Sequence, residues 1–400
     1  MSETQNVENL PLLEKIIHST RMAKEEYQVE FAKVLLRVAG KEAESGALAG
    51  LAKTDDIISV LQARVAQIDS IVSAQVNEIL HHEDFQRLEA SWTAFYNFIN
   101  TLKSGEKIIV RVLNTNKKDL LADLTKCAEF DQSGLFKKIY EEEYGTLGGH
   151  PFSFLVSDFS FGRGLKDLDL LRGISQVASA AHTPFVAAAS ASMFDLDSFR
   201  DLEKPRDLKK IFESVEMGAW TSFRLTEDAK YITLTLPRII HRLPYGPKTV
   251  PIEEFYFVED VDGSNHNKYL WGTPAFALAQ RITDAFYSYG WMAAIRGVET
   301  GGLVQGLPVH TFTSPEGENT YKCPVECVIT DRREKELNDV GFIGLCYRKN
   351  SSQAVFFSGR SFAKVPNYKD PDSKANAFLG TQLPYNLVVS RFAHYIKAMM

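Results

Sequence analysis

Along the first quarter of the chain, apolar residues return every three or four positions, the spacing of one helix face. Leu10, Leu13, Ile16 and Ile17 form one stripe, and Phe31, Val34, Leu35 and Val38 a second, so the pattern predicts helix over 9–38. The stretch 40–53 is rich in Gly, Ala, Ser and charge and reads as a linker. Thr54 is a suitable N-cap, followed by Asp55 and Asp56 at the positive end of the dipole. The helix it opens carries Ile57, Leu61, Val65, Ile68, Val72, Val76 and Ile79 on one face and stops near His81-His82. A further helix over 84–102 presents Phe85, Leu88, Trp92, Phe95, Tyr96 and Ile99, a stripe read as an ordinary core face.

Beyond residue 102 the period changes. Apolar, β-branched runs predict strands at 107–113, 152–156, 185–189 and 231–236. Helical patterns separate them at 119–130, 134–144 and 168–181. A helix over 274–289, strands near 303–312, 325–330, 341–347 and 354–358, and a helix over 385–400 follow. The expected fold class is α/β, a mixed and mostly parallel sheet covered by helices, with a helical N-terminal segment. Two parts are expected. Residues 1–53 form the N-terminal helix and linker, and residues 54–400 form the core, helical to about 102 and then alternating.

Composition narrows the function classes. The net charge is −6, which gives no reason to expect nucleic-acid binding. Apolar runs such as Pro184-Phe185-Val186-Ala187 are too short to span a bilayer, and the polar start lacks a signal peptide, so a cytoplasmic chain is expected. Four cysteines in 400 residues read as reduced core thiols, not a disulfide framework. Aromatics are plentiful, with 26 Phe and 15 Tyr, enough for large buried surfaces and for contacts between subunits.

No motif for chemistry stands out. Walker A is absent. Gly162-Arg163-Gly164 and Gly301-Gly302 with Gly306 lack dinucleotide spacing and read as turns. His81-His82-Glu83 has adjacent histidines, not the i, i+4 pair of a zincin helix. Cys323-x3-Cys327 has no second cysteine pair near it and reads as core packing. Glu141-Glu142-Glu143 reads as a solvated helix face. The expectation is no enzyme, no catalytic residue, no metal and no cofactor.

Several segments dense in Gly, Pro and aromatics remain. They are His81-His82-Glu83-Asp84-Phe85-Gln86, Glu143-Tyr144-Gly145 with Gly148-Gly149, Ala181-His182-Thr183-Pro184-Phe185, Pro237-Arg238, and Pro244-Tyr245-Gly246. Then come Tyr269-Leu270-Trp271-Gly272, Gly290-Trp291, Ile295-Arg296-Gly297, Leu383-Pro384-Tyr385 and Ser390-Arg391-Phe392-Ala393-His394-Tyr395. In this order they resemble the large contractile-sheath subunit of type VI secretion systems, the TssC/VipB family, over nearly the whole chain.

The resemblance implies a contractile-sheath-type protomer. Such subunits pair with a small sheath subunit of the TssB/VipA type. The pairs join other copies in a helical sheath on a baseplate, around an inner tube of Hcp type. Contraction propels tube and spike into a target cell. The resemblance also implies a ClpV-type AAA+ unfoldase that reads the N-terminal helix, at positions matching Leu12, Leu13, Ile16, Ile17 and Arg21. It implies a bacterial cytoplasmic protein with no nucleic-acid partner and no membrane insertion. A phage-tail-like sheath or a baseplate scaffold outside secretion is the alternative. Relatives in the family continue past the Arg391-Phe392-Ala393-His394-Tyr395 stretch, so the chain is expected to lack the family's C-terminal region.

Overall fold

A computed structural model describes residues 54–103, 108–204, 207–253, 255–313, 317–366 and 368–399, with side chains from 62 onward in the first helix. The helix and linker expected over 9–53, and with them Leu12, Leu13, Ile16, Ile17 and Arg21, lie outside the described residues. The chain divides into two compact units. One ends at Ile79 and also takes in Tyr245–Glu259; the other comprises Leu80–Pro244 and Asp260–Met400.

In the first unit, α1 (Thr54–Leu80) runs up to the boundary. The second part of that unit is a closed loop. The Tyr245 amide donates to the Glu259 carboxylate at 2.8 Å, and the Glu259 amide donates to the Tyr245 carbonyl at 2.9 Å.

The second unit is built on a six-stranded sheet. Its strands are β1 (Leu155–Phe161), β2 (Phe185–Ala189), β3 (Ile232–Leu236), β6 (Leu303–Val304), β9 (Phe342–Tyr347) and β10 (Ala354–Phe356), in the order β1-β2-β3-β9-β10-β6. β1, β2, β3 and β9 are parallel; β10 runs antiparallel to β9 and to β6. The sheet is therefore mixed, as the alternation of strands and helices predicts. Two small antiparallel pairs complete the strands: β4 (Ile239–Ile240) with β5 (Trp271–Gly272), and β7 (Thr311–Thr313) with β8 (Asn319–Tyr321).

Side chains alternate across the central strands, so both faces are buried. Phe185, Ala187, Leu234 and Phe342 enter one core, covered by Leu168, Leu171 and Ile174 of α4 (Leu165–Ala180) and by Leu120 of α3 (Lys117–Lys126). Val186, Ile343 and Leu345 enter the other, covered by Leu278 and Ile282 of α5 (Ala275–Tyr289) and by Leu387 of α8 (Leu383–Met399). Thr235 sits buried in β3 because its hydroxyl donates to the Ala187 carbonyl at 2.9 Å. Further helices include α2 (Glu83–Thr101), α6 (Asp331–Asp339) and α7 (Pro371–Gly380), with shorter helical turns at Gly134–Phe136, Lys137–Tyr144, Leu208–Phe212 and Gly218–Arg224. Among the described residues no helix is long and apolar enough to cross a membrane.

Three expectations are corrected. The stretch 325–330 forms no strand; Val325 makes only a bridge to Ile239, and the next amides are taken by the Arg238 carbonyl and the Glu203 carboxylate. Of the strand expected over 107–113, the described part, 108–113, joins no ladder among the described residues. The face of α2 is also different from the one predicted. Ala90, Ala94 and Phe98 are buried, whereas Trp92 and Tyr96 are 63% and 66% exposed. The two alanines leave room for close packing, and Phe95 and Phe98 meet Phe276 of α5 edge-on or tilted at 6.2 and 5.9 Å.

Candidate interaction surface

Two of the segments dense in Gly, Pro and aromatics, Pro237-Arg238 and Tyr269-Leu270-Trp271-Gly272, flank or form the β4–β5 pair. β4 is preceded by Pro237-Arg238 and followed by His241-Arg242. Arg238 forks onto Glu326, with Nε to Oε2 at 2.7 Å and Nη2 to Oε1 at 2.8 Å. The Glu326 side chain is 0% exposed, and the Ser198 hydroxyl donates to Oε1 at 3.0 Å. His266 Nε2 stands 3.5 Å from the same oxygen, its ring stacked on Trp271 at 4.5 Å. Burial alone would raise the Glu326 pKa. The Arg238 hydrogen bonds and charge, with His266 and Ser198, override it and hold the group at about 2. Four residues on, Arg242 forks onto Glu89 of α2, both side chains largely buried. Two bidentate pairs thus pin β4 to its surroundings with fixed geometry.

His241 lies between them. Its ring is buried against Gly272, where an added Cβ would sit 2.3 Å from the ring carbon Cδ2. Only glycine permits that approach. Burial pushes the His241 pKa down to about 4, so the ring is neutral at pH 7. An open cavity of about 390 Å³, lined by Ser198, Arg200, Asn265 and His266 among others, adjoins this network.

The candidate chemical motifs have structural positions. Burial raises the thiols of Cys323 to about 11 and Cys346 to about 12, and raises Cys327 as well, so all three stay protonated and poorly nucleophilic at neutral pH. His82 is the N-cap of α2, accepting from the Asp84 amide at 3.3 Å. Gly162-Arg163-Gly164 is the turn from β1 into α4; the Gly162 amide donates to Asp167 at 2.7 Å and the Arg163 carbonyl accepts from Trp220 at 2.9 Å. Gly302 backs onto the Phe356 carbonyl, 2.4 Å from where a Cβ would stand. Glu143, the last of the acid triplet, pairs with Arg111 and accepts from the His150 amide. Among the described residues, no three His, Cys, Asp or Glu side chains are placed to hold a metal ion.

Part of what the molecule presents outward is apolar surface. Phe85, Leu88, Trp92, Tyr96 and Ile99 run down the outer side of α2. Ile109 and Val112, in the run that joins no ladder, are 68% and 65% exposed. Patches of this kind mark contact with other chains. Periodicity found the α2 stripe but assigned it to the core; only the number of helix faces that neighbours can cover separates the two cases.

Comparison with known proteins points the same way. The sequence profile of VipB, described as EvpB/VC_A0108, tail sheath N-terminal domain, matches residues 62–363. The type VI secretion system sheath protein TssC1 of Pseudomonas aeruginosa is 45% identical over 349 residues, which is 87% of this chain and 70% of that protein.

Proposed function

Because the chain belongs to the VipB tail-sheath family, we propose that it is the large structural subunit of a type VI secretion contractile sheath. In this reading it pairs with a small sheath subunit, and the pairs polymerise helically around an inner tube in the bacterial cytoplasm. Contraction toward a tighter packing then drives the tube outward from a baseplate. The work comes from repacking rigid bodies, so it asks for stiff protomers and wide contact surfaces, not a reactive pocket. The observation that carries the reading is the exposed aromatic stripe of α2, left uncovered on a unit whose sheet is buried on both faces. Its stiffness is supported by the forked Arg238–Glu326 and Arg242–Glu89 pairs.

Co-expression with the small sheath subunit from the same gene cluster tests it. Tubes with a regular helical lattice in negative stain are the expected result. Separate monodisperse chains would overturn it.

The division at residue 53 and the unfoldase contact belong to the same proposal. An apolar stripe of Leu12, Leu13, Ile16 and Ile17, with Arg21, suits a helix laid in a groove. Leu13→Ala with Ile17→Ala is expected to abolish binding to the isolated N-domain of a ClpV-type unfoldase, read by calorimetry. Unchanged affinity would remove that role.

A further inference from the structure

Beside the forked Arg238–Glu326 pair, two cations stand without a counter-ion. The Arg200 amide donates to Ser198 Oγ at 3.3 Å, but its guanidinium makes no hydrogen bond and no ion pair among the described residues. Lys322 lies close to it. The Lys322 amide donates to the His310 carbonyl at 2.8 Å, and its ammonium stands over the Tyr269 ring at 5.1 Å, with no carboxylate at ion-pair distance among the described residues. Burial lowers the Lys322 pKa, and the charge of Arg200 lowers it further. Like charges held near one another are relieved by an anion placed beside them.

The acids of this region are already engaged. Glu326 is held in the Arg238 fork. The Asp262 carboxylate accepts from Ser264 Oγ at 2.8 Å and from the amides of Ser264 and Asn265 at 3.0 and 3.3 Å. Glu203 accepts from the Val328 amide at 3.0 Å. None of them answers Arg200.

The cavity of about 390 Å³ opens at Arg200, and its other walls are Ser198, Ser264, Asn265, His266 and Asn267. That is small-molecule size, and no apolar side chain lines it, so its occupant is polar. Asn265 Oδ1 accepts from the Asn267 amide at 3.1 Å, which leaves the Asn265 Nδ2 protons as donors. His266 is only 7% exposed, yet its Nε2, 3.5 Å from Glu326 Oε1, has no hydrogen-bond partner among the described residues. A buried polar atom left in this way is stabilised by any ligand that completes its bonding.

We propose that this cavity binds a small oxyanion, a phosphate or carboxylate group on a polar body, with Arg200 as its principal partner. A planar guanidinium presents paired N–H donors that match two such oxygens. Lys322 adds charge from nearby, and the asparagine amides supply neutral donors. A neutral ligand would leave both cations unanswered. A cationic one would add a third positive charge. The site is independent of the sheath reading, and neither depends on the other.

The test titrates the full chain by calorimetry with inorganic phosphate and, separately, with malonate, in low-salt buffer free of both. Saturable binding of at least one probe is expected. Arg200→Gln is expected to weaken it about tenfold or more. Asn267→Asp, which sets a carboxylate in the wall, is expected to do the same. Lys322→Gln is expected to weaken it about threefold. Without anion, the melting temperature of Arg200→Gln should stay within about 2 °C of the parent, since no side-chain bond is lost. Arg332→Gln makes the same charge change on a side chain 91% exposed elsewhere and is expected to bind as the parent does. Binding of phosphate alone identifies a phosphate ligand, and binding of malonate alone a carboxylate; binding of both supports the oxyanion class. No saturable binding of either probe, or equal binding by Arg200→Gln and the parent, overturns the site and leaves the sheath assignment standing. Equal weakening by Arg332→Gln and Arg200→Gln would trace the effect to general charge and overturn it as well.

Discussion

Two short apolar runs, 108–113 and Phe185–Ala189, carry the same kind of strand signal, and the fold treats them in opposite ways. Phe185–Ala189 became β2, between β1 and β3, with all five residues buried. The other found no ladder and kept its aliphatic side chains in water. Strand propensity describes a surface that fits a pleat. It does not say which chain supplies the neighbour. In β2 the neighbour comes from the βαβ crossover that follows β1, so the pairing is local to the chain. For 108–113 no such crossover brings a strand alongside among the described residues.

The contrast can be broken by the same kind of change at both sites. Val186→Asp in β2 buries an unpaired carboxylate and is expected to cost on the order of 4 kcal/mol or more, read as loss of soluble protein or collapse of the urea midpoint. Acid is the next largest perturbation of the buried region. His241 is neutral in the fold with a pKa near about 4, whereas the unfolded chain takes up a proton below about 6.5. Stability is therefore full above that value and falls as pH drops from about 6.5 toward about 4, by about 3 kcal/mol for this group. His182 and His394, both pushed down mainly by burial, act in the same direction. Glu326 adds a second loss between its ordinary pKa of 4.5 and about 2. Urea midpoints taken across this range check the sign; a midpoint that rises on acidification would contradict it.

Gly272→Ala forces a methyl into the His241 ring and is expected to cost about 1–3 kcal/mol, seen as a lower melting temperature. The smallest effect is expected at the exposed run. Val112→Asp should leave the isolated chain within about 0.5 kcal/mol of the parent by the same urea assay. A large loss there would show that 108–113 is supported by its own chain after all.

Much of the architecture was legible in the sequence because it follows from period and punctuation. The helix opening at Thr54, the strands at β2, β3 and β9, and the helix after Pro274 lie where their patterns put them. The turn roles of Gly162 and Gly302 were also readable, since glycine pairs without phosphate spacing rarely do more. Three things were hidden. Arg238 and Glu326 lie 88 residues apart, and nothing local in either segment announces their partnership. The stripe of Trp92 and Tyr96 reads as core in the sequence because amphipathicity gives a face and not its occupant. The strand expected at 325–330 stops at a single bridge, Val325 to Ile239, because the Val328 amide turns to the Glu203 carboxylate.

Lys117 has a consequence for the time before any assembly exists. A naked sheet border in solution can seed fibrils, because any passing strand may dock there. Here an ammonium group sits on the last carbonyl of that border, at Ser160, and stays anchored to Asp167. An intruding strand would have to strip a cation from its bond before it could add a rung. One flexible side chain thus acts as a plug that guards the stockpile of unassembled protomers, and Lys117→Met would be expected to shorten its shelf life in concentrated solution.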